Sequence, residues 1–132
     1  MNEPIWMDAA DAVAAHDMQL AEHGGPSGVR DAGMLESAPG RPRNLWVYSE
    51  VQPSLPRLAA AYAFGISSNH PFVDGNKRTA LVVSFAFLDT NGIAVTATQE
   101  DAYKTIFGLA AGEINELQLT SWFESNTGPL IR

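Results

Sequence analysis

Near the middle of the chain, His70-Pro71-Phe72-Val73-Asp74-Gly75-Asn76-Lys77-Arg78-Thr79-Ala80 gathers an imidazole, a carboxylate, a glycine, a carboxamide and two adjacent cations. Both flanks read as apolar helices. A polar loop between buried helices costs stability, because each polar group must find a partner away from water. Function is the usual reason for keeping one. The residue types point to phosphate. Gly75-Asn76 breaks the extended run and a helix begins, whose first backbone N–H groups lack internal partners and carry the positive end of the helix dipole. Lys77 and Arg78 add charge there, and arginine can grip phosphate oxygens through paired hydrogen bonds. Asp74 would repel phosphate unless a cation lay between them, and Mg²⁺ favours one or two carboxylates plus phosphate oxygens. Histidine is the side chain best suited to proton transfer near neutral pH, and His70 could take the proton of an attacking hydroxyl. Phe72 and Val73 would anchor the loop.

Taken singly, each of these residues has a plainer explanation. His70 alone would be a satisfied core histidine, Asp74 a helix N-cap, Asn76 a turn former, and Lys77-Arg78 a solvated helix turn. Their joint occurrence at fixed spacing is what points to chemistry.

The elements that must position the loop follow from periodicity and caps. Asp8 can cap a helix from Ala9 to about His23, with Ala9, Ala12, Val13, His16 and Leu20 on one face and Gly24-Gly25 ending it. His16 and His23 lack spaced partners for a metal site, so both are expected to be structural or surface residues. Asp31 can cap a short helix through Ala38, which Pro39-Gly40 stops. Arg30 and Asp31 are expected to fix the turn before it. Arg41 to Pro56 is the least regular part; its Trp46 and Tyr48 suit either recognition or plugging of the core. Leu55, Leu58, Ala59, Tyr62 and Ile66 make a helical stripe leading to Asn69-His70. The helix from Asn76 to Thr90 is apolar nearly all round and is expected to be central and buried. Asn91-Gly92 is a left-handed stop, and Ile93 to Ala97 is short and extended. Thr98 opens a helix from Gln99 to about Ala111, closed by Gly112. Asn115 with Gln118 forms a capping box for a last helix through Ser125, with Leu119, Trp122 and Phe123 facing inward. The expected fold is all-α, a compact bundle around the motif helix, with residues 1–132 as one domain.

Composition narrows the function classes. The 132 residues can bury one core without staples, and the absence of cysteine removes disulfides and thiolate metal sites. No signal-like or bilayer-length apolar run is present, so a cytoplasmic protein without membrane attachment is expected. The net charge of −7 argues against direct nucleic-acid binding, which rests on Lys and Arg. With eight cations in the chain, two side by side at the loop carry information.

His70 to Arg78 resembles the motif of the Fic/Doc family, His-x-Phe-x-Asp/Glu-Gly-Asn followed by Gly-Arg or Lys-Arg, without a gap. The version with Lys77, in a short chain, looks like the death-on-curing branch of toxin–antitoxin toxins. His16-Asp17, Glu22-His23-Gly24-Gly25, Gly28-Val29-Arg30-Asp31, Leu35-Glu36-Ser37-Ala38 and Arg41-Pro42 resemble the family's N-terminal half. Phe87-Leu88, Asn91-Gly92 and Gly112-Glu113-Ile114 resemble its C-terminal half, so the likeness spans roughly Ile5 to Asn126. The sequence departs from the family at Pro39-Gly40, where the helix commonly runs on to the Arg-Pro, and at Ser68-Asn69, where a basic residue is missing.

The resemblance implies a Fic-type helical bundle and nucleotide-dependent transfer onto a protein hydroxyl. His70 would be the base, and Asp74 would hold Mg²⁺. Gly75, Asn76 and Lys77 would build the anion cradle, and Arg78 would clamp a phosphate. Most relatives carry glycine at position 77 and transfer AMP. With lysine there, ATP lies reversed with its γ-phosphate near the histidine, and the enzyme is a protein Ser/Thr kinase. Leu81, standing where AMP-transferring relatives carry a second arginine, agrees with that branch. The implied target is elongation factor Tu. The implied partner is a small antitoxin with a flexible C-terminal segment, and no inhibitory Ser/Thr-x-x-x-Glu-Gly/Asn helix lies within the chain. The segment before the motif helix would act as a flap on the target. Two alternatives are an AMP-transferring enzyme that tolerates lysine and a non-catalytic toxin that only binds its antitoxin.

Overall fold

A computed structural model describes residues 2–131. Asp8 opens α1 (Ala9–His23) through a capping box in which its carboxylate accepts from the Asp11 N–H and Asp11 accepts from the Asp8 N–H. Ala12, Ala15 and His16 form the buried face of this helix.

Asp31 caps α2 (Ala32–Tyr48), which runs straight through the expected stop at Pro39-Gly40. Neither Pro39 nor Pro42 has the N–H that would bond the carbonyl four residues back. What keeps the helix is burial: Leu35, Ala38, Pro39 and Pro42 all lie on its covered face. Gly65 of the next helix lets that face approach closely. A Cβ at position 65 would lie 3.0 Å from the Ala38 carbonyl oxygen. Packing therefore overrides local propensity here. The segment expected to be irregular shrinks to the connection after Tyr48. Trp46 is a core plug, edge-on to Trp6 at 6.1 Å, while Tyr48 is 81% exposed.

Ser54 caps α3 (Leu55–Asn69), with Pro56 in the first turn where no N–H is needed. Leu58 through Ala63 are all buried, because α2, α4, α5 and α6 surround this helix. Four of those six residues are alanine, which lets the neighbouring helices come close. Beside it lies α4 (Asn76–Thr90), burying Thr79, Ala80, Val83, Ser84, Phe87 and Leu88. The motif helix thus shares the centre with α3, which is the more fully enclosed of the two.

After the Asn91-Gly92 turn, β1 (Ile93–Val95) leads to α5 (Gln99–Ala110) and α6 (Glu116–Ser125), capped by Thr98 and by an Asn115–Gln118 capping box. A final β2 (Thr127–Pro129), for which the sequence carries no strand signal, pairs antiparallel with β1, Ile93 opposite Pro129 and Val95 opposite Thr127. The architecture is all-α with this one small ribbon at its edge. No described helix is long and apolar enough to cross a membrane.

Candidate active site

The loop from His70 to Gly75 joins α3 to α4, and its shape starts with strain. His70 caps α3 in the left-handed conformation, φ 47° and ψ 57°, and is the one described non-glycine residue with positive φ. That conformation costs on the order of 1 kcal/mol or more in an L-residue, and persists where surrounding contacts over-determine it. Arg30 supplies those contacts. Its Nε donates to the His70 carbonyl at 2.6 Å and its Nη2 to the Asn69 carbonyl at 2.9 Å. The backbone of the same segment adds three more bonds. The Arg30 and Asp31 N–H groups donate to the Pro71 carbonyl, and the Val73 N–H donates to the Gly28 carbonyl. A single bridge pairs Val29 with Phe72.

His16 supports the loop from the other side. Its ring lies flat on Phe72, centroids 3.9 Å apart and planes 4° from parallel. His16 Nε2 stands 2.8 Å from the Asp74 carbonyl oxygen, and since a carbonyl only accepts, Nε2 is the nitrogen that carries the proton. Gly75, at φ 78°, passes within reach of the same ring: a Cβ there would lie 3.6 Å from His16 Cδ2. Gly25 allows a second close approach, since a Cβ on it would sit 3.1 Å from Asp74 Oδ2. Asn76 closes the loop on itself, its Oδ1 accepting from the Phe72 N–H and its Nδ2 donating to the Phe72 carbonyl, both at 3.0 Å. Its side chain is therefore committed to holding the loop, and what it offers a ligand is its backbone N–H.

These supports shape a cleft of about 390 Å³ lined by His70, Asp74, Gly75, Asn76, Lys77 and Arg78, with Phe107 of α5 as its far wall. Every residue expected from the motif is in it. The start of α4 has no side-chain cap, whereas side chains cap the other five described helices. Its first N–H groups are left for a ligand. Arg78 is the second sign: its buried Nε has no hydrogen-bond partner, an orphaned donor at a cation's fork. Lys77 Nζ rests over the Phe107 ring at 5.2 Å, a contact that holds the ammonium at the mouth of the cleft. An open helix end, an unsatisfied guanidinium nitrogen and an ammonium suit the oxygens of a polyphosphate.

Among the described residues no group of three or more His, Cys, Asp or Glu side chains could hold a metal by itself. Asp74 is the sole carboxylate among the described residues that line the cleft. That donor set fits Mg²⁺ arriving with phosphate oxygens, which needs one or two carboxylates rather than a protein cage.

The supporting residues are less visible in the sequence than the motif. His16 was expected to be structural, and it is, though in service of the site. Arg30 was expected to fix its own turn, and instead it reaches the end of α3. Phe107 carried no signal at all, being one apolar residue on an amphipathic helix.

The profile of the Fic/DOC family matches residues 6–88, which include the loop and nearly all of the four helices around it. The chain is 36% identical over 105 residues to the protein kinase doc of Escherichia phage P1, covering 80% of this chain and 82% of that protein. It is also 36% identical over 92 residues to the toxin Doc of Mycolicibacterium smegmatis, covering 70% and 68% respectively. The motif, the loop geometry and these likenesses agree, and the chain belongs to the Fic/DOC family.

Proposed function

We propose that this chain is the toxin of a toxin–antitoxin pair and a protein kinase, moving the terminal phosphate of ATP to a Ser or Thr hydroxyl, with elongation factor Tu as the expected target. The observation that carries the reading is the pairing, in one cleft, of His70 with an uncapped helix start bearing Lys77 and the orphaned Nε of Arg78. The names of the two relatives, a protein kinase and a toxin, support it.

In this reading His70 accepts the proton of the target hydroxyl. The hydroxyl oxygen forms a bond to the γ-phosphorus while the bond from that phosphorus to the bridging oxygen of ADP breaks, and ADP leaves. The N–H groups of Asn76, Lys77 and Arg78, together with the two cationic side chains, hold the phosphate oxygens in place and stabilise charge as it shifts. Asp74 would hold Mg²⁺, which when bound neutralises phosphate charge. Lys77 fills the space that a glycine would leave at this position, which favours γ-phosphate transfer over AMP transfer, and Leu81 offers no second guanidinium. A target in the translation machinery places the protein in the cytoplasm. A small antitoxin with a flexible C-terminal segment would restrain it until needed.

Incubating the protein with elongation factor Tu and Mg-ATP and reading the intact mass of the target tests this. The expected product carries one phosphate, labelled from γ-labelled and not from α-labelled ATP. His70→Ala should abolish labelling while melting as the parent does. An added AMP, or full labelling by His70→Ala, would refute the kinase reading or the base assignment respectively.

A further inference from the structure

A second cavity, of about 540 Å³, lies between α2 and α3 and shares no lining residue with the nucleotide cleft, yet Asn69 lines one and His70 the other. We infer that this cavity is a subsite for a carboxylate side chain of the protein substrate, held by Arg41 within a few residues of the acceptor hydroxyl. The inference rests on the proposed transfer to a protein only for the position of that hydroxyl.

Among the described residues of the lining Arg41 is the one that is charged, in a chain whose net charge is −7. It is also fixed in advance. Its Nε and Nη2 donate to Glu116 Oε1 at 3.0 and 2.5 Å, and its guanidinium lies over the Phe64 ring at 4.8 Å. The other Glu116 oxygen accepts from Arg57 Nη1. Two guanidinium groups thus share one carboxylate, and the cluster keeps a surplus positive charge. The Glu116 side chain is 10% exposed and that of Arg41 44%, so the surplus is presented to solvent from the Arg41 side. A guanidinium already held loses little freedom on gripping an anion, and its planar fork matches a carboxylate. Ser37, Asn44 and Asn69 add neutral polar groups to the lining, and Tyr48 adds an exposed aromatic wall.

The spacing favours a protein segment as the occupant. Asn69 Nδ2 donates to Ser37 Oγ at 2.9 Å, which places Ser37 beside the residue before His70. Arg41 follows Ser37 by four helical residues, about 6 Å along the axis. An extended chain covers roughly 3.3–3.6 Å per residue, so a substrate with its hydroxyl at His70 presents a side chain to Arg41 about two to four residues away. The predicted preference is an Asp or Glu in that range.

Fluorescein-labelled peptides centred on threonine test this with the full chain. One set carries a single Glu at each of the four positions on either side, and its matched set carries Gln. Anisotropy should show at least one Glu peptide binding about tenfold more tightly than its Gln partner, with the gap narrowing as salt rises. Arg41→Gln should erase the gap. Asn44→Asp, which leaves the Glu116 bridge alone and sets a carboxylate in the lining, should erase it too with parent-like melting. No discrimination at any position, discrimination that survives Asn44→Asp, or displacement by sodium acetate as effective as by unlabelled Glu peptide would each overturn the subsite. Phosphate transfer to the same peptides is read in parallel. Glu discrimination without transfer would defeat the kinase reading and leave the Arg41 site standing.

Discussion

His16 holds Asp74 by its backbone carbonyl and not by its carboxylate. The choice of atom matters, because a donor on the carboxylate would compete with a metal for the same lone pairs, whereas a donor on the carbonyl fixes the residue and leaves both oxygens free. His16→Phe would retain a ring against Phe72 and lose the bond. Its expected cost is about 0.5–1.5 kcal/mol, the usual net worth of one hydrogen bond, since Asp74 itself is exposed and water can reach its carbonyl. If His16 also positions Asp74, the Mg²⁺ concentration for half-maximal transfer should rise by about tenfold. Melting curves and transfer rates across a Mg²⁺ titration separate the two effects, and lower stability with an unchanged Mg²⁺ requirement would reduce His16 to packing. The sequence discloses the residues of the cleft and conceals what supports them. The cleft residues of the motif fall within one run from His70 to Arg78, so their spacing can be read directly. His16 lies 58 residues from Asp74 and Arg30 lies 40 from His70, and no local periodicity connects such pairs.

At the scale of elements, α2 carries the main lesson. Pro39-Gly40 is a legitimate stop signal by local rules, and the helix continues because its buried face meets Gly65. Gly65→Ala tests that account. The new Cβ would meet the Ala38 carbonyl at 3.0 Å, and two backbones would have to part. A loss of roughly 1–3 kcal/mol is expected, despite the better helix propensity of alanine. Urea unfolding checks it, and a variant as stable as the parent would mean that α2 is held by something else. The caps of α1, α5 and α6 were readable because each lies within three residues of its partner. β2 was not. It is three residues long, has no alternation, and exists through pairing with a strand more than thirty positions earlier.

Across the whole molecule, Tyr62 ties the N-terminal lead-in to the centre. Its hydroxyl accepts from the Met7 N–H at 2.8 Å and donates to the Met7 carbonyl at 3.0 Å. Burial pushes its phenol up from 10.0 to about 12. The folded chain therefore keeps this proton between pH 10 and 12 while the unfolded chain releases it. The stabilisation is complete below pH 10 and is lost as pH rises towards 12, by on the order of 2 kcal/mol. Tyr62→Phe should start about 1–2 kcal/mol lower, having stranded the Met7 groups, and should fall less steeply above pH 10. Denaturant melts at pH 8 to 11.5 measure both, and parallel curves for the two proteins would refute the assignment.

The segment from Gly24 to Arg30 has a further consequence. It supplies Gly25 beside Asp74, Gly28 beneath Val73 and the Arg30 clamp on His70, yet it is exposed along its whole length and rich in glycine. Such stretches are where proteases cut first. Hydrolysis of one peptide bond there would slacken the loop from His70 to Gly75 and leave the buried faces of all six described helices in place. Foldedness and activity are thus separable at a single scissile point. A clipped molecule would persist as an idle body, switched off without being unfolded or cleared.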